Sequence, residues 1–179
     1  MKTVDIEKLN RDNFKSLMNV LSMPGKIEQI KPLFDSNLLA IASTLLYSEV
    51  AYFYEGLEEI SLIEAITGSK KDSANCAEYI FCDEISESLF AGAQKGTSKD
   101  PEFSSTLIFK CTSFDSGLKV VLEGPGINVK KEVFLPVDES FVKVFNEKNS
   151  TFPLGNEIIF LNNEGFVMAL SRTTKIKVS

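Results

Sequence analysis

The chain reads as an α/β protein whose sheet is covered by helices on both faces. Three observations predict it. Amphipathic helical stretches alternate with short β-rich runs through the first half, the second half turns to strands separated by Gly, Asn and Asp turns, and the last third closes on two apolar runs around Asn162-Asn163-Glu164-Gly165. At 179 residues the chain is long enough for one full core and too short for two, so a single domain over residues 1–179 is expected.

The first helix is predicted from Asp12 or Asn13 to Ser22, where Phe14, Leu17, Met18 and Leu21 recur at i, i+3, i+4 and i+7 as one apolar stripe. Pro24-Gly25 ends it, and Lys26 to Ile30 alternates like a short strand. Asn37 is placed to cap a second helix that is apolar nearly all round, the pattern of a helix sandwiched between layers. Val50 to Tyr54 is a buried strand on its β-branched and aromatic content. A helix over Leu57 to Thr67 carries Glu58 and Glu59 in its first turn and stops at Gly68. Ala77 to Cys82 is the next strand, and Asp83 is placed to cap a short helix with Ile85 and Leu89 that ends by Gly92 or Gly96.

Strands follow. Thr106 to Thr112 and Leu118 to Glu123 flank Asp115-Ser116-Gly117, a hairpin signal. After Gly124-Pro125-Gly126 a strand over Lys131 to Phe134 leads to Pro136, where a helix begins with Phe141, Val144 and Phe145 on one face and Glu139/Lys143 as an i, i+4 ion pair. Gln94 to Glu102, rich in Gly, Ser, Lys and Asp, is the expected mobile loop. Phe152-Pro153-Leu154-Gly155 then opens the closing hairpin.

Composition excludes several functions. A net charge of −6 repels a phosphate backbone, so no nucleic-acid partner is expected. The start, MKTVDIEKLN, has no apolar signal core, and the apolar run Leu38 to Leu46 is about half of what a bilayer span needs, so a cytoplasmic protein without a membrane partner is expected. Cys76, Cys82 and Cys111 match neither a zinc ribbon nor a redox pair and read as small buried hydrophobes. With no histidine, the chain has no Ser-His-Asp triad, Cys-His pair or HExxH site, and no acid cluster has metal-ligand spacing. Neither GxxxxGK[ST] nor GxGxxG occurs; Gly68-Ser69-Lys70-Lys71 reads as a helix C-terminus with two lysines beside its negative end. Neither a metal nor a cofactor is expected.

Arg172 is the residue that stands out. The chain carries seventeen lysines and two arginines, so arginine occurs where a planar fork for carboxylate or phosphate is wanted. It either forms an ion pair that holds the sheet or a subunit interface, or binds an anionic ligand, with the hydroxyls of Thr173 and Thr174 alongside. Glu123-Gly124-Pro125-Gly126-Ile127 is either a tight turn that needs glycine or a nest of backbone N–H groups for an anion. Glu123 is either a surface charge or the partner of Arg172. The candidate ligand set is therefore Glu123, Gly124, Gly126, Arg172, Thr173 and Thr174, with no catalytic residue assigned. Glu58-Glu59 and Asp83-Glu84 are accounted for by helix starts.

Four blocks, in order, resemble the H subunit of the bacterial carbon–phosphorus lyase system, the PhnH family. They are Phe14 to Met18 with Met23-Pro24-Gly25; Gly96-Thr97 with Pro101-Glu102 and Thr106-Leu107-Ile108; Gly124-Pro125-Gly126-Ile127; and Phe152-Pro153-Leu154-Gly155 with Arg172-Thr173-Thr174. Glu157 stands where the family pattern has Asp, and Ser171 where it often has Pro. The resemblance implies a three-layer α/β/α sandwich with a mixed sheet, similar to the large domain of pyridoxal-phosphate-dependent transferases but without that cofactor. It also implies a homodimer when alone, and assembly with the G, I and J subunits in the complex that couples an alkylphosphonate to the ribose of ATP before C–P cleavage. A supporting role follows, with a residual transferase-like site for an anionic phosphonate or nucleotide as the alternative.

Overall fold

A computed structural model describes residues 5–179. Residues 1–4, part of the segment read as lacking a signal, lie outside it. Among the described residues five α-helices and ten strands follow one another: α1 (Ile6–Ser22), β1 (Ile27–Gln29), α2 (Asn37–Leu45), β2 (Ala51–Glu55), α3 (Leu62–Thr67), β3 (Lys70–Lys71), β4 (Tyr79–Cys82), α4 (Glu87–Gly92), β5 (Thr106–Cys111), β6 (Leu118–Glu123), β7 (Lys131–Leu135), α5 (Glu139–Lys148), β8 (Glu157–Asn162), β9 (Phe166–Leu170) and β10 (Lys175–Val178). Seven strands form a mixed sheet in the order β1-β9-β8-β5-β4-β2-β3, and β10-β6-β7 form a second, antiparallel sheet. In the large sheet β8, β5, β4, β2 and β3 run parallel, while β9 pairs antiparallel with β8 and β1.

Strand period 2 sends neighbours to opposite faces, and the two cores follow it. Ile159, Leu161, Ile108 and Phe81 face α1, α2 and α3 through Leu17, Leu38, Ile41 and Ile63. Ile158, Phe160, Leu107 and Phe109 face the other way, onto Phe90 of α4, Phe141 and Phe145 of α5, and Val120, Leu122 and Ile176 of the small sheet. Phe90 anchors that side, its ring centroid 5.3 Å from Phe141 and 5.6 Å from Phe145. So helices cover one face alone, whereas on the other they share the layer with three strands.

Several expectations are corrected. The segments 106–112 and 118–123 do not pair: β5 lies between β4 and β8, and β6 lies between β10 and β7. Leu107, Ile108 and Phe109 are all fully buried, the mark of a central parallel strand covered on both faces, whereas β6 alternates. The helix predicted from Leu57 begins only at Leu62, and Glu58 and Glu59 lie in the loop before it. The side-chain caps of α2 and α4 are Ser36 and Ser86, not Asn37 and Asp83. Lys143 pairs forward with Glu147 at 4.0 Å rather than back with Glu139. On α1 the buried positions are Asn13, Leu17 and Val20, while Phe14 and Met18 of the predicted stripe face solvent. The segment 94–102 is tied down by the Lys95 carbonyl, which accepts from the Gly155 amide, and by Thr97 and Asp100, which bond each other.

Helical asparagines complete the sheets. Asn13 of α1 donates to the Lys31 carbonyl and accepts from its amide, both at 2.9 Å, as a neighbouring strand would. Asn146 of α5 does the same to Ile176 on the free edge of β10, and Asn149 to Asn156 just before β8. Each amide satisfies two backbone groups that would otherwise end the ladder bare.

Candidate functional site

In an open parallel sheet the crevice lies outside the carboxyl ends of the strands, where the connections diverge. Here that point is between β2 and β4: from β2 the chain moves outward to β3, and from β4 it moves the other way to β5 and β8. Asp83, the first residue beyond β4, fills this crevice. Its carboxylate accepts from the Tyr54 hydroxyl at 3.1 Å and the Leu57 amide at 2.8 Å. Lys110, near the end of β5, pairs with Asp83 at 2.9 Å and with Glu58. Glu58 in turn accepts from the Ser36 hydroxyl at 2.9 Å, which joins the cluster to the start of α2.

The electrostatics are those of a paired cation. Burial works against ionised Asp83, but the Leu57 amide and Lys110 outweigh it and hold the carboxyl below its ordinary range. Burial likewise opposes the Lys110 charge, and Glu58 and Asp83 override it and raise the ammonium pKa. Burial, then the Asp83 charge, push the Tyr54 phenol up to about 12, so it stays a neutral donor. A cleft of about 500 Å³ opens beside Asp83, Lys110 and Thr112, and another of about 360 Å³ beside Glu58 and Lys110.

None of these residues belongs to the candidate set read from sequence; they come together only through the register of the parallel strands. One signal was present. Lys110 is the charged residue inside the apolar run Leu107-Ile108-Phe109-Lys110-Cys111, at the end of a strand.

Arg172 sits at the opposite end of the same strands. Its Nε and one Nη donate to both oxygens of Glu157, the first residue of β8, at 3.0 and 3.1 Å. The remaining Nη hydrogens go to the carbonyls of Pro101 and Pro153, at 3.1 and 3.2 Å, and to the Ser104 hydroxyl, at 2.8 Å. A guanidinium has five N–H donors, and all five are engaged. The knot ties Pro101, Pro153 and Glu157 together, so two of the four sequence blocks meet on one side chain. Asn156 beside it is fully buried and donates to the carbonyls of Gln94 and Ser105; its own side-chain oxygen is left without a partner.

Glu123 is not the partner of Arg172. It pairs with Lys177 at 2.8 Å and Lys130 at 3.3 Å, and these hold its carboxyl below the ordinary range. The Gly124-Pro125-Gly126 turn is closed by the Ile127 amide on the Gly124 carbonyl. Gly124 and Gly126 have φ of +136° and +81°. A Cβ at Gly124 would press on the Thr173 carbonyl, and one at Gly126 would collide with the Ser22 carbonyl at the end of α1. The turn is therefore wedged between the first block and the Arg172-Thr173-Thr174 block. The hydroxyls of Thr173 and Thr174 each lie 3.0 Å from that of Ser171. Arg172, Thr173 and Thr174 line a cleft of about 610 Å³ that includes Phe152, whereas Glu123, Gly124 and Gly126 do not line it.

The molecule thus has an α/β fold with a mixed sheet, tied through Arg172 at the amino ends of its parallel strands, where one cleft of about 610 Å³ remains, and opened beside Lys110 at their carboxyl ends. Residues 5–177 match the family described as bacterial phosphonate metabolism protein (PhnH), and the chain belongs to that family. It is also 29% identical over 167 residues to a protein of Stutzerimonas stutzeri named as a C-P lyase subunit, HtxG, with 92% of this chain and 84% of that protein covered. Among the described residues no helix is long and apolar enough to cross a membrane.

Proposed function

We propose that this chain is a supporting subunit of the cytoplasmic carbon–phosphorus lyase core complex, a single PhnH-like domain that assembles with G, I and J subunits and forms a homodimer when alone. In that role it assists formation of ribose 1-phosphonate 5-triphosphate from ATP and an alkylphosphonate without performing the chemistry itself. The observation that carries this reading is the family match over residues 5–177. The geometry supports the non-catalytic part of it, because the side chain best suited to grip a phosphonate, Arg172, has every donor committed to its own chain.

Kinship with the large domain of pyridoxal-phosphate-dependent transferases is part of the proposal, but the residues do not fit the cofactor. A Schiff base needs a neutral amine. Lys110 is kept as ammonium between Glu58 and Asp83. Burial lowers the Lys148 pKa to about 8, but its amine is turned into the last turn of α4, bonded to the carbonyls of Phe90, Ala91 and Ala93 and away from the clefts described above. Co-expression with the other core subunits tests the assembly, and a chain that never co-purifies with them would end it. Turnover of ATP and methylphosphonate by the purified chain alone would end the supporting role.

A further inference from the structure

Three clefts open side by side at the carboxyl ends of the parallel strands. The first, of about 360 Å³, is edged by Asp35, Glu58 and Glu59. The second, of about 500 Å³, shares Lys110 and Asn163 with it and adds Asp83 and Glu84. The third, of about 480 Å³, shares Ile85, Thr112 and Pro136 with the second and adds Glu87 and Asp138. Seven carboxylates thus line one continuous groove against a single ammonium, Lys110, which Glu58 and Asp83 already neutralise.

The groove is not only charged. Ile85, Cys111, Pro136 and Phe141 contribute apolar lining, and two large apolar side chains stand uncovered at this end. Leu57, in the loop that gives its amide to Asp83, is 99% exposed, and Phe34, at the first cleft, is 57% exposed. Apolar anchors within a polar, charged rim are the layout of a protein–protein contact.

We propose that this groove docks a basic segment, with its own apolar anchor residues, from a polypeptide of different sequence. Charge decides the class of occupant. The same field that draws lysine and arginine repels nucleic acid and anionic membrane. A second copy placed on this face by a two-fold axis would set each carboxylate ring against its own duplicate, so a homodimer contact falls elsewhere. The proposal rests on the complex-subunit reading for its partner: the segment belongs to another subunit of that assembly.

The test compares wild-type chain, Leu57→Asp, the double variant Glu84→Lys/Glu87→Lys and a control, Glu132→Lys/Glu147→Lys, for binding to the purified remaining core subunits. All these side chains are exposed, so the fold is expected to persist, with circular dichroism as the check. The groove variants are expected to bind at least about ten-fold more weakly, the control to match wild type, and salt raised from roughly 50 to 300 mM to weaken wild type. Zero-length carbodiimide coupling in the complex is expected to join Glu59, Glu84 or Glu87 to a partner lysine. If wild type binds and the groove variants bind equally well, or coupling reaches only Glu132 or Glu147, the groove proposal is wrong and the subunit reading stands. If wild type does not bind the other subunits at all, both fall.

Discussion

Arg172 and Lys110 occupy opposite ends of the same parallel strands, and their surroundings differ in kind. At the amino ends of β5 and β8, loops arrive from several directions and present carbonyls inward. Arg172 collects those of Pro101 and Pro153 together with both oxygens of Glu157, and nothing of its guanidinium remains for a ligand. At the carboxyl ends the connections leave in opposite directions from β2 and β4, and Lys110 meets two carboxylates in a crevice that stays open. Similar ion chemistry gives a knot at one end and a receptive surface at the other. The difference lies in where the chain reversals put their backbone, as the topology of open parallel sheets requires.

That contrast can be broken most sharply at Arg172. Arg172→Ala strands Glu157 beside three further unpaired acceptors and is expected to cost about 3–5 kcal/mol, read as a lower midpoint in urea; Arg172→Lys, without the planar fork, is expected to recover less than half. Gly126→Ala, which forces a Cβ into the Ser22 carbonyl at positive φ, is expected to cost at least about 2 kcal/mol by the same assay. Lys110→Met removes two ion-pair contacts where Arg172 makes five bonds, and is expected to cost about 1–2 kcal/mol; a loss equal to that of Arg172→Ala would erase the distinction between the ends.

The Lys110 pair also carries a pH signature. Asp83 has its folded pKa depressed below the ordinary 3.8, so its contribution is complete above that value and is lost as pH falls through the lower one. The stability gap between wild type and Lys110→Met is therefore expected to narrow under acid, in denaturation curves taken from about pH 5 down to pH 2. A gap constant over that range would show that Lys110 does not act through Asp83. The smallest effect belongs to Leu57→Asp, within about 0.5 kcal/mol of wild type in the isolated chain, because its side chain touches almost nothing there.

Much of this was legible in the amino-acid order where the signal is local. The hairpin of β8 and β9, the glycine stop of α3 at Gly68 and the strand at Lys131 all follow from periodicity and turn chemistry. Partner choice was not. Asp115-Ser116-Gly117 marks a chain reversal, but a reversal does not state which sheet the next strand joins; the unbroken burial of Leu107 to Phe109 against the alternation of β6 was the better guide. The acid pairs at Glu58 and Asp83 resembled helix starts because the dipole argument is local, whereas Lys110, which claims them, lies 52 residues from Glu58 in the chain. The importance of Arg172 was visible from its rarity. Its partner was not Glu123, because Lys130 and Lys177 are nearer in space.

The strand-mimicking asparagines constrain how the molecule joins others. With Asn13 on Lys31 and Asn146 on Ile176, a lateral newcomer finds those rungs taken, and at the far side β3 offers two residues, both exposed lysines. Growth by adding strand to strand, the route to fibrils and swapped ribbons, is discouraged at these margins. Along these margins association is left to surfaces shaped by side chains, where a match of form and charge decides which neighbour is accepted.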